Sequence, residues 1–164
     1  MIPEELKWFT DKLKEITFEK LFRIVTKLDR ALNNTSLILL FKVGEKSILF
    51  PGDSQIENWE YILKDRALMK ELKSVDVYKV GHHGSLNATP KSLWKAFEKK
   101  GGADREDRII TLLSTLSGKH GHEERNTEVP RKTLVVELES RSKLVNTEDL
   151  PDDELFQLIE IPLN

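Results

Sequence analysis

There is no cysteine among the 164 residues of this chain. Disulfides, thiolate metal ligands and a cysteine nucleophile are therefore excluded together. Long hydrophobic runs are also missing: the longest, Leu37 to Phe41, falls far short of a bilayer-spanning helix. Met1 to Leu13 interleaves apolar side chains with Glu, Lys and Asp, so it lacks the unbroken apolar core of a secretory signal. Neither sign of charge dominates. The formal net charge of −2 gives no bulk attraction to nucleic acid or an anionic membrane, although it leaves room for a local basic groove. No Gly-rich loop runs into Gly-Lys-Ser/Thr, which removes the phosphate-loop nucleotide-binding class, and no internal repeat is present. What remains is 38% hydrophobic and 33% charged residues, enough for one cored domain with a solvated surface. The expectation is a cytoplasmic chain with no membrane segment.

From Pro3 to Leu32, Leu6, Phe9, Leu13, Ile16, Leu21, Ile24, Val25, Leu28 and Leu32 recur at helical spacing with charged residues between them. This predicts one or two amphipathic helices over residues 1–32. Asn33-Asn34-Thr35 is a turn. A hairpin follows, with strands over Ser36–Val43 and Lys46–Phe50 joined at Gly44-Glu45. Ile56–Leu72 resumes helical spacing. Val75–Val80 reads as a strand, Thr89-Pro90 opens a helix that buries Leu93, Trp94 and Phe97, and Ile109–Ser114 reads as another strand. Lys132–Arg141 fits a helix, Leu144-Val145 a short strand, and Leu155–Ile161 a last strand. The mixture predicts an α/β class, with α+β as its variant.

Polar groups with metal or acid–base chemistry fall just past three of these strands: Asp53, the pair His82-His83, and then His120 and His122. A sheet holds strand ends firmly while the next loop reaches outward, which suits ligand placement. Neutral imidazole with carboxylate suits zinc, manganese or iron, and a carboxylate can bridge two cations. Two such ions lower the pKa of a shared water and clamp phosphoryl or acyl oxygens. Blander roles compete. Asp53 could cap the helix that starts near Ile56, and one histidine could simply hydrogen bond to backbone. Ser85 has no Asp-His relay at a readable spacing, which argues against a serine-hydrolase triad.

Gly-Asp by itself is common, but Ile48-Leu49-Phe50-Pro51-Gly52-Asp53 followed by Asp76-Val77-Tyr78-Lys79-Val80-Gly81-His82-His83-Gly84-Ser85 is a specific combination. With Leu113-Ser114-Thr115, Gly121-His122 and Val145-Asn146-Thr147, it resembles the later part of a metallo-β-lactamase-fold domain. The order and spacing are similar to the ComEC-like branch from Asn33 to about Leu163. The resemblance implies the C-terminal half of an αββα sandwich: a mixed sheet with helices, over residues 33–164, preceded by the helical segment. It implies a metal-dependent hydrolase, with a phosphodiester or a small molecule as substrate and two zinc or manganese ions in the complete domain. Asp53 would match the metal-bridging aspartate, and one of His82 and His83 the last metal-binding histidine, with His82 preferred and both retained. His122 would match a histidine at the active-site edge that contacts substrate, and His120 is its neighbour.

This chain departs from the family at its main ligand string, His-x-His-x-Asp-His, which is absent. The first 32 residues carry no histidine. Two protein ligands do not close a coordination sphere, so the chain alone is expected to be inactive and to hold little or no metal. Its partner is then the missing N-terminal half of the domain or a second copy, in a homo-oligomer covering an otherwise open sheet face. The alternative from the same residues is a catalytically inactive interaction or regulatory module.

Overall fold

The computed structural model describes residues 4, 7, 8, 12, 18–33, 35–119, 121, 122, 124 and 127–163. Two compact units divide the chain, residues 1–35 and 36–164. Leu6, Phe9, Leu13, Ile16 and His120 lie outside the described residues.

In the first unit, helix α1 runs over Phe18–Asn33. Leu21, Ile24, Val25 and Leu28 follow the i, i+3, i+4, i+7 spacing that puts apolar side chains on one face. Each of these four is exposed.

The second unit is mixed α/β. Among its described residues one sheet has five strands in the order β1-β2-β3-β4-β5. These are β1 (Leu39–Val43), β2 (Lys46–Phe50), β3 (Val77–Lys79), β4 (Ile110–Leu113) and β5 (Lys143–Asn146). The hairpin β1–β2 turns at Gly44-Glu45 and is antiparallel, with Leu40 opposite Leu49. The remaining neighbours are parallel. The connections are made by α2 (Ile56–Lys64) and α3 (Arg66–Lys73), then α4 (Lys91–Ala96), then α5 (Lys132–Arg141).

Strand pairing lines up Leu49, Tyr78, Thr111 and Leu144 across the sheet. Because side chains alternate along a strand, these four share one face. That face supplies Leu49, Tyr78, Val80 and Leu113 to the core, and the helical segments supply Trp59, Leu72, Leu93, Trp94 and Leu138. Polar atoms buried here are satisfied: the Tyr78 hydroxyl pairs with Thr89 Oγ1 at 2.8 Å, and Trp59 Nε1 donates to the Ala88 carbonyl at 3.2 Å.

The opposite face is also apolar and much less covered. Leu39, Phe41, Val43 and Phe50 are all exposed on it, Phe41 edge-on to Phe50 with ring centroids 5.7 Å apart. Residues 150–163 cross this face. Leu150, Leu155, Phe156 and Ile159 line a cavity of about 390 Å³ with Phe50, Leu112 and Val145. At the far end the Leu163 carbonyl lies 3.3 Å from where a Cβ on Gly44 would stand.

Two elements depart from the sequence expectation. Leu155–Ile161 is not a strand: its backbone joins no ladder, and only Ile159 and Ile161 are partly buried, with Leu155, Phe156 and Leu158 largely exposed. The single helix expected over Ile56–Leu72 is two. Asp65 leaves helical geometry at φ −85°, ψ 113°, and its carboxylate accepts from the Ala67 and Leu68 amides at 2.8 and 3.1 Å. That is an N-cap, which starts a new helix, while the apolar spacing continues because both helices bury onto the same core.

Candidate functional site

Parallel strands β2, β3 and β4 direct their carboxyl ends to one edge, where ligands of open α/β sheets bind. Asp53 follows β2 there, exposed to solvent. It is not a helix cap: α2 begins after Gln55, with no side-chain capping bond. His82 and His83 follow β3 in a 3-10 turn over His82–Gly84. Both have left-handed backbones, at φ 42° and 53°. Such conformations cost roughly 1–3 kcal/mol each in non-glycine residues and persist only where the surroundings enforce them.

Several contacts do so. The His82 amide donates to the Gly52 carbonyl at 3.3 Å, which ties the β3 loop to the β2 loop, and the Arg131 amide donates to the Gly84 carbonyl at 2.9 Å. Gly81 makes the first approach feasible: a Cβ there would lie 3.0 Å from the Gly52 oxygen and 3.1 Å from Pro51 Cγ. Gly84, at φ 81°, would drive a Cβ to 3.0 Å from Pro130.

As a result Asp53, Lys79, His82, His83 and Ser114 line one cavity of about 290 Å³ together with Leu37, Leu39 and Phe50. His83 and Ser114 also line an adjoining space of about 270 Å³ with Thr115, Leu116 and Lys119. His83 Nδ1 is 2.8 Å from the Ser114 carbonyl oxygen. A carbonyl only accepts, so Nδ1 carries the proton and a neutral His83 has its lone pair on Nε2. His82 Nδ1 is 3.2 Å from Ser85 Oγ, and a hydroxyl on either role leaves that tautomer open. Among the described residues no carboxylate hydrogen bonds to His82, so the Ser85–His82 pair lacks the third member of a triad.

Lys79 also lines this cavity, although it is not a ligand-type residue. It projects from β3 onto the less covered face, level with Leu112 and Val145, and its ammonium donates to the Val80 carbonyl at 3.1 Å. Burial pulls its pKa below the ordinary lysine value, and the negative charge of Asp53 opposes that shift. A lone lysine inside the apolar run Val77–Val80 was the signal available in the sequence, since a central parallel strand is normally apolar throughout.

The donors present, imidazole and carboxylate, match zinc or manganese in kind. In number they fall short, because no three His, Asp or Glu groups among the described residues converge to hold an ion. His122 lies on the loop after β4, exposed, with its amide donating to Thr127 Oγ1 at 3.0 Å. It is not among the residues that line the Asp53 cavity.

Over 70 residues, 43% of this chain, the sequence is 33% identical to Recombination protein 2 of Haemophilus influenzae. That stretch spans 8% of the relative's length. No protein-family model matches the chain, and no solved structure matches it.

Proposed function

We propose that this chain is the C-terminal half of a metallo-β-lactamase-like hydrolase domain acting on phosphodiesters. The observation that carries the reading is the shared cavity at the strand ends, lined by Asp53, His82, His83 and half-buried Lys79. Two features support it further. The sheet is apolar on both faces, as the inner sheet of a four-layer sandwich must be, and the partial relative is a protein named for recombination, which favours nucleic acid over a small molecule.

In this reading Asp53 and one or both of His82 and His83 hold zinc or manganese. A bound pair of ions would supply an acidified water and counter-charge for phosphoryl oxygens. The Ser114 carbonyl holds Nδ1 of His83, so that Nε2 would be the atom to reach an ion, a second-sphere arrangement common to histidine ligands. Lys79 adds a positive charge in a poorly solvated place, where it would attract a phosphate oxygen more strongly than a surface lysine would. His122 is assigned to the substrate edge by the family resemblance alone. The ligands that these residues lack would come from the other half of the domain.

Manganese titration followed by NMR tests this. Paramagnetic broadening should centre on the amides of Asp53, His82 and His83 at weak, non-stoichiometric affinity, and D53N should remove it. Broadening centred elsewhere would sink the metal assignment.

A second reading, an inactive interaction or regulatory module, is favoured by one observation, the exposed Leu39, Phe41, Val43 and Phe50 on the open sheet face. If manganese broadens none of the Asp53, His82 and His83 amides, that reading takes precedence.

A further inference from the structure

A cavity of about 690 Å³ lies between α4 and α5, lined by none of the residues that line the Asp53 cavity. Lys91 and Lys95 of α4, Lys100 after it, and Arg131 and Arg141 at the two ends of α5 all line it, against one carboxylate, Glu137. Even with the Glu128 partner of Arg131 counted, at 2.8 Å, positive charge is in clear excess in a chain whose net charge is −2.

The walls are fixed to each other. Trp94 Nε1 donates to Glu137 at 2.9 Å, which joins α4 to α5, and Lys100 sits 5.6 Å from the centre of the Trp94 ring. Cationic crowding is felt at Lys100. Burial first, then the charges of Arg141 and Lys95, lower its pKa, with Glu137 opposing. An anion entering the trough would relieve that repulsion.

We infer that this trough binds the sugar-phosphate backbone of a single nucleic-acid strand and leads it to the Asp53 cavity. Ser85 lines the trough, and its Oγ lies 3.2 Å from Nδ1 of His82, a residue of the smaller cavity. A hydrogen-bonded pair thus connects the linings of the two spaces. Trp94 is 7% exposed, so no open aromatic surface is offered for base stacking, and recognition is by phosphate charge without sequence preference. The choice of nucleic acid over an acidic peptide rests on the phosphodiester reading of the neighbouring site.

The test is fluorescence anisotropy of a short labelled oligothymidylate with the full chain, in chelator, so that neither metal nor hydrolysis is needed. Wild type should bind at low salt with no divalent ion present. Affinity should fall about 20- to 50-fold between about 50 and 200 mM salt if three or four phosphates are neutralised, at about −0.7 in log–log slope per phosphate. The variant K91Q/K95Q/R141Q, at three exposed positions, should lose about tenfold or more and show a shallower slope. A control with the same charge loss on α2 and α3, K64Q/K70Q/K73Q, should stay within about twofold. Absence of binding at low salt, equal loss in the control, or equal affinity for polyglutamate of matched length would each overturn the inference. Because this binding is read in chelator and metal binding by manganese broadening, the two proposals fail separately.

Discussion

His83 Nδ1 and the carbonyl oxygen of Ser114, 2.8 Å apart, join the carboxyl ends of β3 and β4 through a side chain that also lines the candidate cavity. One residue thus serves both the fold and the site, and substitutions can separate the two roles. Asparagine keeps a donor near the Nδ1 position and tolerates the left-handed backbone better than most residues, but it has no second ring nitrogen. His83→Asn should therefore melt at or above the wild-type temperature while manganese affinity drops about tenfold or more. His83→Ala should lose about 1 kcal/mol for the bond to Ser114, read as a fall of about 2–4 °C in a chain of this size. Parallel melts and manganese titrations check both, and unchanged affinity in His83→Asn would remove His83 from the ligand set.

Much of this arrangement is legible in the chain itself. The apolar stretches at Ile48, Val77 and Ile109 are strong strand signals because their partners bury them, and α5 matches Lys132–Arg141 end to end. The ligand-type residues were found by their position after strands. Spacing does not reveal that the Ser114 carbonyl orients His83, since a backbone acceptor leaves no residue-type signal. The basic trough was invisible for a related reason: Lys91, Lys95, Arg131 and Arg141 are ordinary surface cations until α4 and α5 face each other. The Leu155–Ile161 segment misleads because an apolar-rich stretch reports side-chain type, not whether the backbone finds a ladder partner.

Asp76 anchors the amino end of β3. Its carboxylate accepts from the Ser47 amide at 2.9 Å and from Lys99 at 2.6 Å, with Lys46 at 3.8 Å. Burial would raise its pKa, but the Lys99 and Ser47 hydrogen bonds and the two lysine charges outweigh it and hold the group below the ordinary aspartate value. A lowered folded pKa means that the unfolded chain takes up the proton first. The stabilisation is therefore complete above the unfolded aspartate value and is lost as pH falls through the lowered folded one. Asp76→Asn should cost about 1–3 kcal/mol at neutral pH and should flatten the acid side of the stability curve below about pH 4. Urea melts at a series of pH values read both, and an unchanged acid limb would show that Asp76 is not the group responsible.

Lys79 carries the opposite sign. Burial depresses its folded pKa, and Asp53 partly restores it. Between that folded value and the unfolded lysine value the unfolded chain binds more protons, so stability should rise with pH across this window. At neutral pH the ammonium is then a cost to the fold, carried on a sheet face beside Leu112 and Val145. Lys79→Met retains the apolar stem and drops the charge, and it should stabilise the chain by about 0.5–2 kcal/mol, the usual gain when a functional but unfavourable group is removed. The alkaline rise in stability should vanish with it. Asp53→Asn should act in the other direction, removing the charge that opposes the shift, so that the rise begins at lower pH. Melts of the wild type and both variants from neutral to alkaline pH test the coupling. If Lys79→Met is less stable than the wild type at neutral pH, the lysine is a structural anchor through its bond to the Val80 carbonyl, and its place in the phosphate-binding reading is lost.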